Sequence, residues 1–253
     1  MRRMLILAGL GLAVALLASC GKGSLTGTGG KAASSGATTS GSTSPHGQSP
    51  SARRAVAFAH AVNLTSDDVP GFTASQKHSA SSDSEKQLER QMLHCAGLGG
   101  STKAVAEESS QSFRLKHQII DLSVSSEVAV EASAAQAQRS LSAIRSSHVR
   151  GCFTRYLQQI LQRQQVNGAT AGPVTIQSGT PPAPGMSGSF GWRVTATFLV
   201  RGIKVPIYLD YLGFVDGPSQ VTLLSSGLLQ PFPADAQQHL FSLLLSRARS
   251  HKL

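Results

Sequence analysis

The most regular pattern in the chain lies between residues 133 and 164. Ala137, Leu141, Ile144, His148, Cys152, Tyr156 and Ile160 follow one another at steps of three or four, the spacing of one face of an α-helix. Ser133 and Gln136 stand at capping-box spacing at its start. A long helix is therefore expected from Ser133 to about Gln164, with Gly151 as the place for a kink or break. After a Gly/Pro-rich stretch at 179–188 the period falls to two. Phe190, Trp192, Val194, Ala196, Phe198 and Val200 alternate with mostly polar neighbours, and Val205, Ile207, Leu209 and Tyr211 do so again on the way to Phe214. Val221 to Leu224 forms a third apolar run. Arg201-Gly202 and Asp216-Gly217-Pro218 are the turns between them. The expectation is an antiparallel meander at 189–225.

Weaker patterns fill the remainder. Ala55 to Leu64 is a short apolar segment, sufficient for one or two helical turns, and Pro70-Gly71 marks a turn after it. Ser82 and Glu85 have capping-box spacing, and Leu88, Met92 and Cys95 then share one helical face until Gly97-Leu98-Gly99-Gly100 stops it. Val105, Phe113 and Ile119 to Ala132 read as extended. Gln230-Pro231-Phe232-Pro233 leads into a last helix from Ala234 to about Arg249, striped by Leu240, Leu243 and Leu244. Helices separated by strand groups give an α+β class: a twisted antiparallel sheet with helices packed mainly on one face.

The first 54 residues obey neither period. Arg2 and Arg3 precede an uncharged apolar run from Met4 to Ala18, too short to span a bilayer core as a stable helix. Leu17-Ala18-Ser19-Cys20 follows as a bacterial lipobox. Residues 1–19 are thus expected to be a lipoprotein signal peptide, with Cys20 the first mature residue and the carrier of a diacylglycerol. The alternative is an ordinary cleaved signal with Cys20 present by chance. Several acyl chains, at about 0.8 kcal/mol per buried CH₂, make such an anchor durable. Of the 32 residues from 21 to 52, 21 are Gly, Ser or Thr, a composition that buries too little surface to offset ordering entropy. Residues 20–54 read as a lipidated cysteine and flexible tether, spanning about 30 Å r.m.s., and 55–253 as one α+β extracytoplasmic domain.

Charge and cysteines narrow the setting. The formal net charge is +10 and no Asp or Glu precedes Asp67, so the membrane-proximal segment is purely cationic. Cationic segments favour anionic lipid heads or wall polymers. The basic residues are not interleaved with aromatics as single-strand binders require, and nucleic acid is excluded as a partner. With Cys20 assigned to lipid, Cys95 and Cys152 remain. An oxidising compartment favours their disulfide; two buried free thiols are the alternative. On the apolar faces of two helices, the bridge would clamp them together.

Catalytic motifs are absent. His46, His60, His78, His94, His117, His148, His239 and His251 form neither HExxH nor a zinc spacing with cysteine. There is no GxSxG elbow and no Walker loop, and no metal or other cofactor is called for. Asp121, Glu127, Glu131, Asp210 and Asp216 are the acids near strands, of which Glu131 and Asp210 are a pair that could meet across a sheet at glycosidase distance. Arg139, Arg145, Arg150 and Arg163 line the outer side of the long helical pattern, as a solvated basic face does. Asn63-Leu64-Thr65 matches a glycosylation sequon that a bacterial lipoprotein does not use.

Leu64-Thr65 with Asp68-Val69-Pro70-Gly71, Ser133-Ala134-Ala135-Gln136-Ala137 ahead of Cys152, Phe214-Val215-Asp216-Gly217-Pro218 and Pro231-Phe232-Pro233 carry a resemblance. Together they resemble uncharacterised secreted lipoproteins of high-GC Gram-positive bacteria (actinobacteria). More distantly they are similar to extracytoplasmic sensor domains of mycobacterial receptor kinases and to PsbP-like lipoproteins, across roughly residues 55 to 253. The resemblance implies an α+β fold with a helix-clamping disulfide and transfers no functional residue.

The expected function is a membrane-anchored binding or sensing module on the outer face of the plasma membrane. It would take a small apolar or amphiphilic ligand, or an envelope protein or polymer, in a groove between sheet and helices. The competing readings are a cell-wall hydrolase or transferase and a non-catalytic envelope scaffold.

Overall fold

The computed structural model describes residues 50–75, 83–97, 104–117, 119–163, 169–200, 202–251 and 253. The signal peptide, Cys20 and most of the tether lie outside the described residues. Five helices and eight strands follow in the order α1 (Pro50–Val62), β1 (Thr73–Ser75), α2 (Asp83–Cys95), β2 (Ala106–Ser109), β3 (Ser112–His117), β4 (Ile120–Val130), α3 (Ala134–Arg145), α4 (Ser147–Arg163), β5 (Ala169–Gly179), β6 (Gly188–Val200), β7 (Ile203–Asp216), β8 (Ser219–Leu228) and α5 (Ala234–Ser250). The class is α+β, as expected. None of these helices is long and apolar enough to cross a membrane.

All eight strands join one antiparallel sheet in the order β1-β3-β4-β8-β7-β6-β5, with β2 continuing β3 along the same edge of β4. The meander is present and has four strands rather than three. Its extra member, β5, pairs with β6 from Ala169↔Val200 to Gly179↔Gly191, with a register shift between Ala171 and Val174. Gly172 and Pro173 sit in that irregularity. Proline cannot donate to a ladder and is confined to edge strands and bulges, so β5 shows no clean alternation and escapes a period-two reading.

Register divides the core in two. Val194, Trp192 and Phe190 of β6, Leu209, Tyr211 and Val215 of β7 and Leu224 of β8 share one face, packed under α2, α3 and α4. Val124 and Val128 of β4, Val221 and Leu223 of β8 and Phe214 of β7 share the other, packed under α1 and α5. Three of the five helices thus lie on one face and two on the other. The central strand β8 is buried along nearly its whole length because both faces are occupied. Gly213 is required on the first face: a Cβ there would stand 2.3 Å from Cε1 of Phe190, whose ring lies over it.

The long helical pattern is interrupted at Ser146 rather than Gly151. Ser146 is extended (φ −71°, ψ 145°); its hydroxyl donates to Ala143 O and accepts from the Val149 amide. One serine therefore closes α3 and opens α4, the local competition that makes serine a capping residue. Gly151 lies inside α4 with no heavy atom within 4 Å of where a Cβ would be. At the start of α3, Ser133 accepts from the Gln136 amide as expected, and the Gln136 side chain donates to Glu131 Oε2 at 2.6 Å.

The turn and cap residues that carry the resemblance act structurally. Asp68 accepts from the Thr65 amide and from both terminal nitrogens of Arg247 at 2.7 and 2.8 Å, tying the segment after α1 to the last turn of α5. Burial alone would raise the Asp68 carboxyl. The Arg247 and Thr65 hydrogen bonds outweigh it and hold the group below its ordinary value. Asn63 is buried, accepting from Ser126 Oγ and donating to Glu108 O.

Candidate functional site

The face that carries α2, α3 and α4 changes character along the sheet. Over β6 and β7 it is aromatic: Phe153 of α4 packs on Trp192 at 5.4 Å and edge-on to Tyr211 at 5.8 Å. Toward β4 and β3 the same face turns polar. Leu224 pairs with Ser125, Ser226 with Ser123, and Arg114 with Ser123, so successive rows end in serine hydroxyls where the helix-covered half ends in rings. Ser123 Oγ and Ser226 Oγ share a 2.6 Å hydrogen bond across the β4–β8 ladder. Arg114 and Asp121 form a two-point ion pair at the margin, with Arg114 Nε at 2.6 Å from Asp121 Oδ1.

These residues surround a shallow pocket of about 260 Å³ including its mouth, lined by Ser112, Ser123, Ser125, Ser226, Leu209, Tyr211 and Leu224, with the backbones of Asp210 and Ser225 as floor. Every lining residue comes from β3, β4, β7 or β8. This depression therefore rests on the sheet itself. Most of its volume is open solvent; the enclosed part is about 10 Å³, room for one water or one hydroxyl, so the pocket is a surface depression that a ligand would rest on rather than enter.

One row further on, Glu127 pairs with Thr222, which pairs with Gly213. Burial pushes the Glu127 carboxyl well above its ordinary value, and the hydrogen-bonded Glu107 beside it pushes further. Glu131 is raised by burial and by Glu107, less so because Gln136 and Ser140 donate to it. Burial and the charge of Glu127 likewise raise the Tyr211 phenol. Glu127 Oε1, Tyr211 Oη and Gln220 Oε1 are closed to solvent and meet no hydrogen-bond partner among the described residues; Tyr211 and Gln220 are only 3 % and 2 % exposed. Unpaired buried acceptors cost about 1–3 kcal/mol each unless a donor arrives.

A pH signature follows from Glu127. Its folded carboxyl holds a proton that the unfolded one has lost, so its contribution to stability is complete below about pH 4.5 and declines as pH rises through the raised folded value. Glu127→Gln is expected to flatten the decline of the urea midpoint between acidic and alkaline pH. The same pH dependence of the midpoint in wild type and Glu127→Gln would contradict the assignment.

The acid pair picked out by sequence does not form. Glu131 is bound to Gln136, while register puts Asp210 on the opposite face, where it accepts from Arg193 Nε at 2.7 Å and from Gln237 of α5. Of the basic face, Arg145 donates to Ser189 O and Arg150 to Ser178 Oγ, so two of its four arginines hold the α3–α4 layer to neighbouring strands.

Cys95 and Cys152 are joined in a disulfide with Cα atoms 5.8 Å apart, clamping α2 to α4. His148 and Arg155, whose part sequence reasoning missed, flank it. His148 Nε2 lies 2.7 Å from Cys95 O and 3.9 Å from Cys152 Sγ. Arg155 Nη2 lies 2.8 Å from Cys95 Sγ and 3.6 Å from Cys152 Sγ. The i, i+4 and i, i+3 spacings of these residues to Cys152 were the available signal. Cys95, His148 and Cys152 bring three ligand atoms within 4.8 Å of one another, but sulfurs bonded to each other are not the thiolates zinc needs.

No protein-family model matches the chain, and no curated protein matches it significantly. Among solved structures it is similar to the extracellular domain of PknH from Mycobacterium tuberculosis, at 12 % identity and a TM-score of 0.41, over 77 % of this chain and 96 % of that one. It is also similar to PA94 from Pseudomonas aeruginosa, a protein of unknown function described as a putative regulator, at 11 % identity and a TM-score of 0.21, over 72 % and 95 % of the two chains. Likeness at this level carries no argument about fold or function, which rest on the chain itself.

Proposed function

We propose that the chain is a lipid-anchored extracytoplasmic binding or sensing module, with its ligand site on the serine-lined groove of the sheet. The observation that carries this reading is the groove itself. Serine hydroxyls stand beside the apolar walls of Leu209 and Leu224, a surface suited to the edge of an amphiphilic head group. A disulfide between helices fits an oxidising compartment, and the Cys20 lipobox supplies the anchor that would hold the module outside the cytosol.

Site-specific photocrosslinking in the native envelope tests the proposal. A photoreactive side chain at Lys116, exposed at the groove margin beside Asp121, is expected to capture one recurrent envelope species. The same probe at Arg163, at the far end of α4, is expected not to capture it. Equal capture from both positions would overturn the assignment of the groove.

A further inference from the structure

Two basic side chains of α4 flank the disulfide, and His148 also bridges to α2 through Cys95 O at 2.7 Å. Arg155 reaches both sulfurs with one nitrogen, at 2.8 and 3.6 Å, and His148 approaches the Cys152 sulfur at 3.9 Å. No acid offsets them nearby in sequence: α4 carries Arg150, Arg155, Arg163 and His148 without an Asp or Glu, and none occurs between Glu131 and Asp210. A disulfide is neutral, so these charges contribute little to the oxidised form. They act on a thiolate, which a neighbouring guanidinium stabilises. The two sulfurs also differ in access, because Cys95 is partly exposed while Cys152 is buried.

We propose that Cys95–Cys152 is a site of thiol–disulfide exchange, entered at Cys95 by an external dithiol. The incoming thiolate forms a bond to Cys95 Sγ as the Cys95–Cys152 bond breaks, and the electron pair leaves on Cys152 Sγ. Arg155 and His148 face that developing charge. The second thiol of the dithiol then displaces Cys95 as a thiolate and closes its own disulfide. Two electrons pass from the dithiol to the cystine, and the dithiol's two protons end on the two cysteines. Exchange is fastest when the leaving thiol has a low pKa, and the Arg155 guanidinium, 3.6 Å from Cys152 Sγ, is the group placed to favour that thiolate. Its structural consequence is release of α2 from α4.

The test follows reduction of the folded, detergent-extracted full chain by dithiothreitol. Quenching by alkylation and peptide mapping separates Cys20 from the pair. Arg155→Met is expected to slow reduction about fivefold, Arg155→Lys to recover most of the rate, and Arg163→Met to leave it unchanged. A misfolded Arg155→Met chain would be reduced faster, not slower, so a folding defect cannot imitate the result. With glutathione in place of the dithiol, the trapped adduct is expected on Cys95 and the alkyl label on Cys152. Equal rates for wild type and Arg155→Met, adducts on Cys152, or a bond that opens only in denaturant would each overturn the proposal.

Discussion

Replacing Cys95 and Cys152 together by alanine is expected to lower the unfolding free energy by about 4 kcal/mol. The bridge closes a sequence separation of 57 residues, and removing such a cross-link restores chain entropy of about that size to the unfolded state. Little else performs the same task. Leu88, Met92 and Leu93 pack into the core under α2, but the helix is joined to that core through its contact with α4. For a domain of about 200 residues the loss corresponds to a fall in thermal midpoint of roughly 8–16 °C. Calorimetry of wild type and double variant at one pH measures it. A shift under about 2 °C would mean that packing alone holds α2 in place.

Phe214→Ala is expected to cost a similar amount, about 4 kcal/mol, by a different mechanism. Phe214 is fully buried on β7, lies opposite Val221 of β8 and meets Phe241 of α5 edge-on at 5.7 Å. Truncating a buried phenylalanine loses its transfer free energy and leaves a cavity, a combination that costs roughly 3–5 kcal/mol. Phe72 provides the internal contrast. It is only half-buried against Phe232, at 6.0 Å, and Phe72→Ala is expected to cost about 1 kcal/mol. Urea unfolding of both variants separates them. Equal losses would show that α5 does not depend on the β7–β8 face for its seat.

Much of this architecture is legible in the sequence. The alternation from Phe190 to Val200 and from Val205 to Tyr211 is the ladder of β6 and β7, and the 3.6-residue stripe through Cys152 is the buried face of α4. Period-two and period-3.6 signals survive because each of these elements has one apolar face. The parts that stay hidden have other causes. The strand β5 is broken by Gly172-Pro173, and its edge position tolerates that break. The extent of β8 is masked because the apolar run stops at Leu224, although Ser225, Ser226 and Gly227 continue the most central strand. The helix break at Ser146 depends on one hydroxyl's choice of partners.

The groove was the least legible element. Ser112, Ser123, Ser125 and Ser226 come from three strands in an order that only the β3-β4-β8 ladder reveals. Serine in a strand looks like a solvent-facing position, and nothing local marks these four as neighbours. Glu127 was read only as an acid near a strand. Its raised carboxyl depends on Glu107, twenty residues away in sequence and brought beside it by the pairing of β2 with β4. Asp210 misled in the opposite sense: a one-residue step along β7 decides which face it occupies, and it lies with Gln237 under α5.

The most direct measurement is the intact mass, under native conditions, of the chain purified from its own envelope beside a Ser112→Phe variant. Ser112 is half-buried at the groove's edge, so an added ring fills the site while leaving both cores alone. The predicted result is a wild-type chain carrying a bound species that the variant lacks, with both unfolding at the same temperature. Contradiction would be an identical complement on both chains, or a wild type that carries nothing and captures nothing when envelope extract is returned to it.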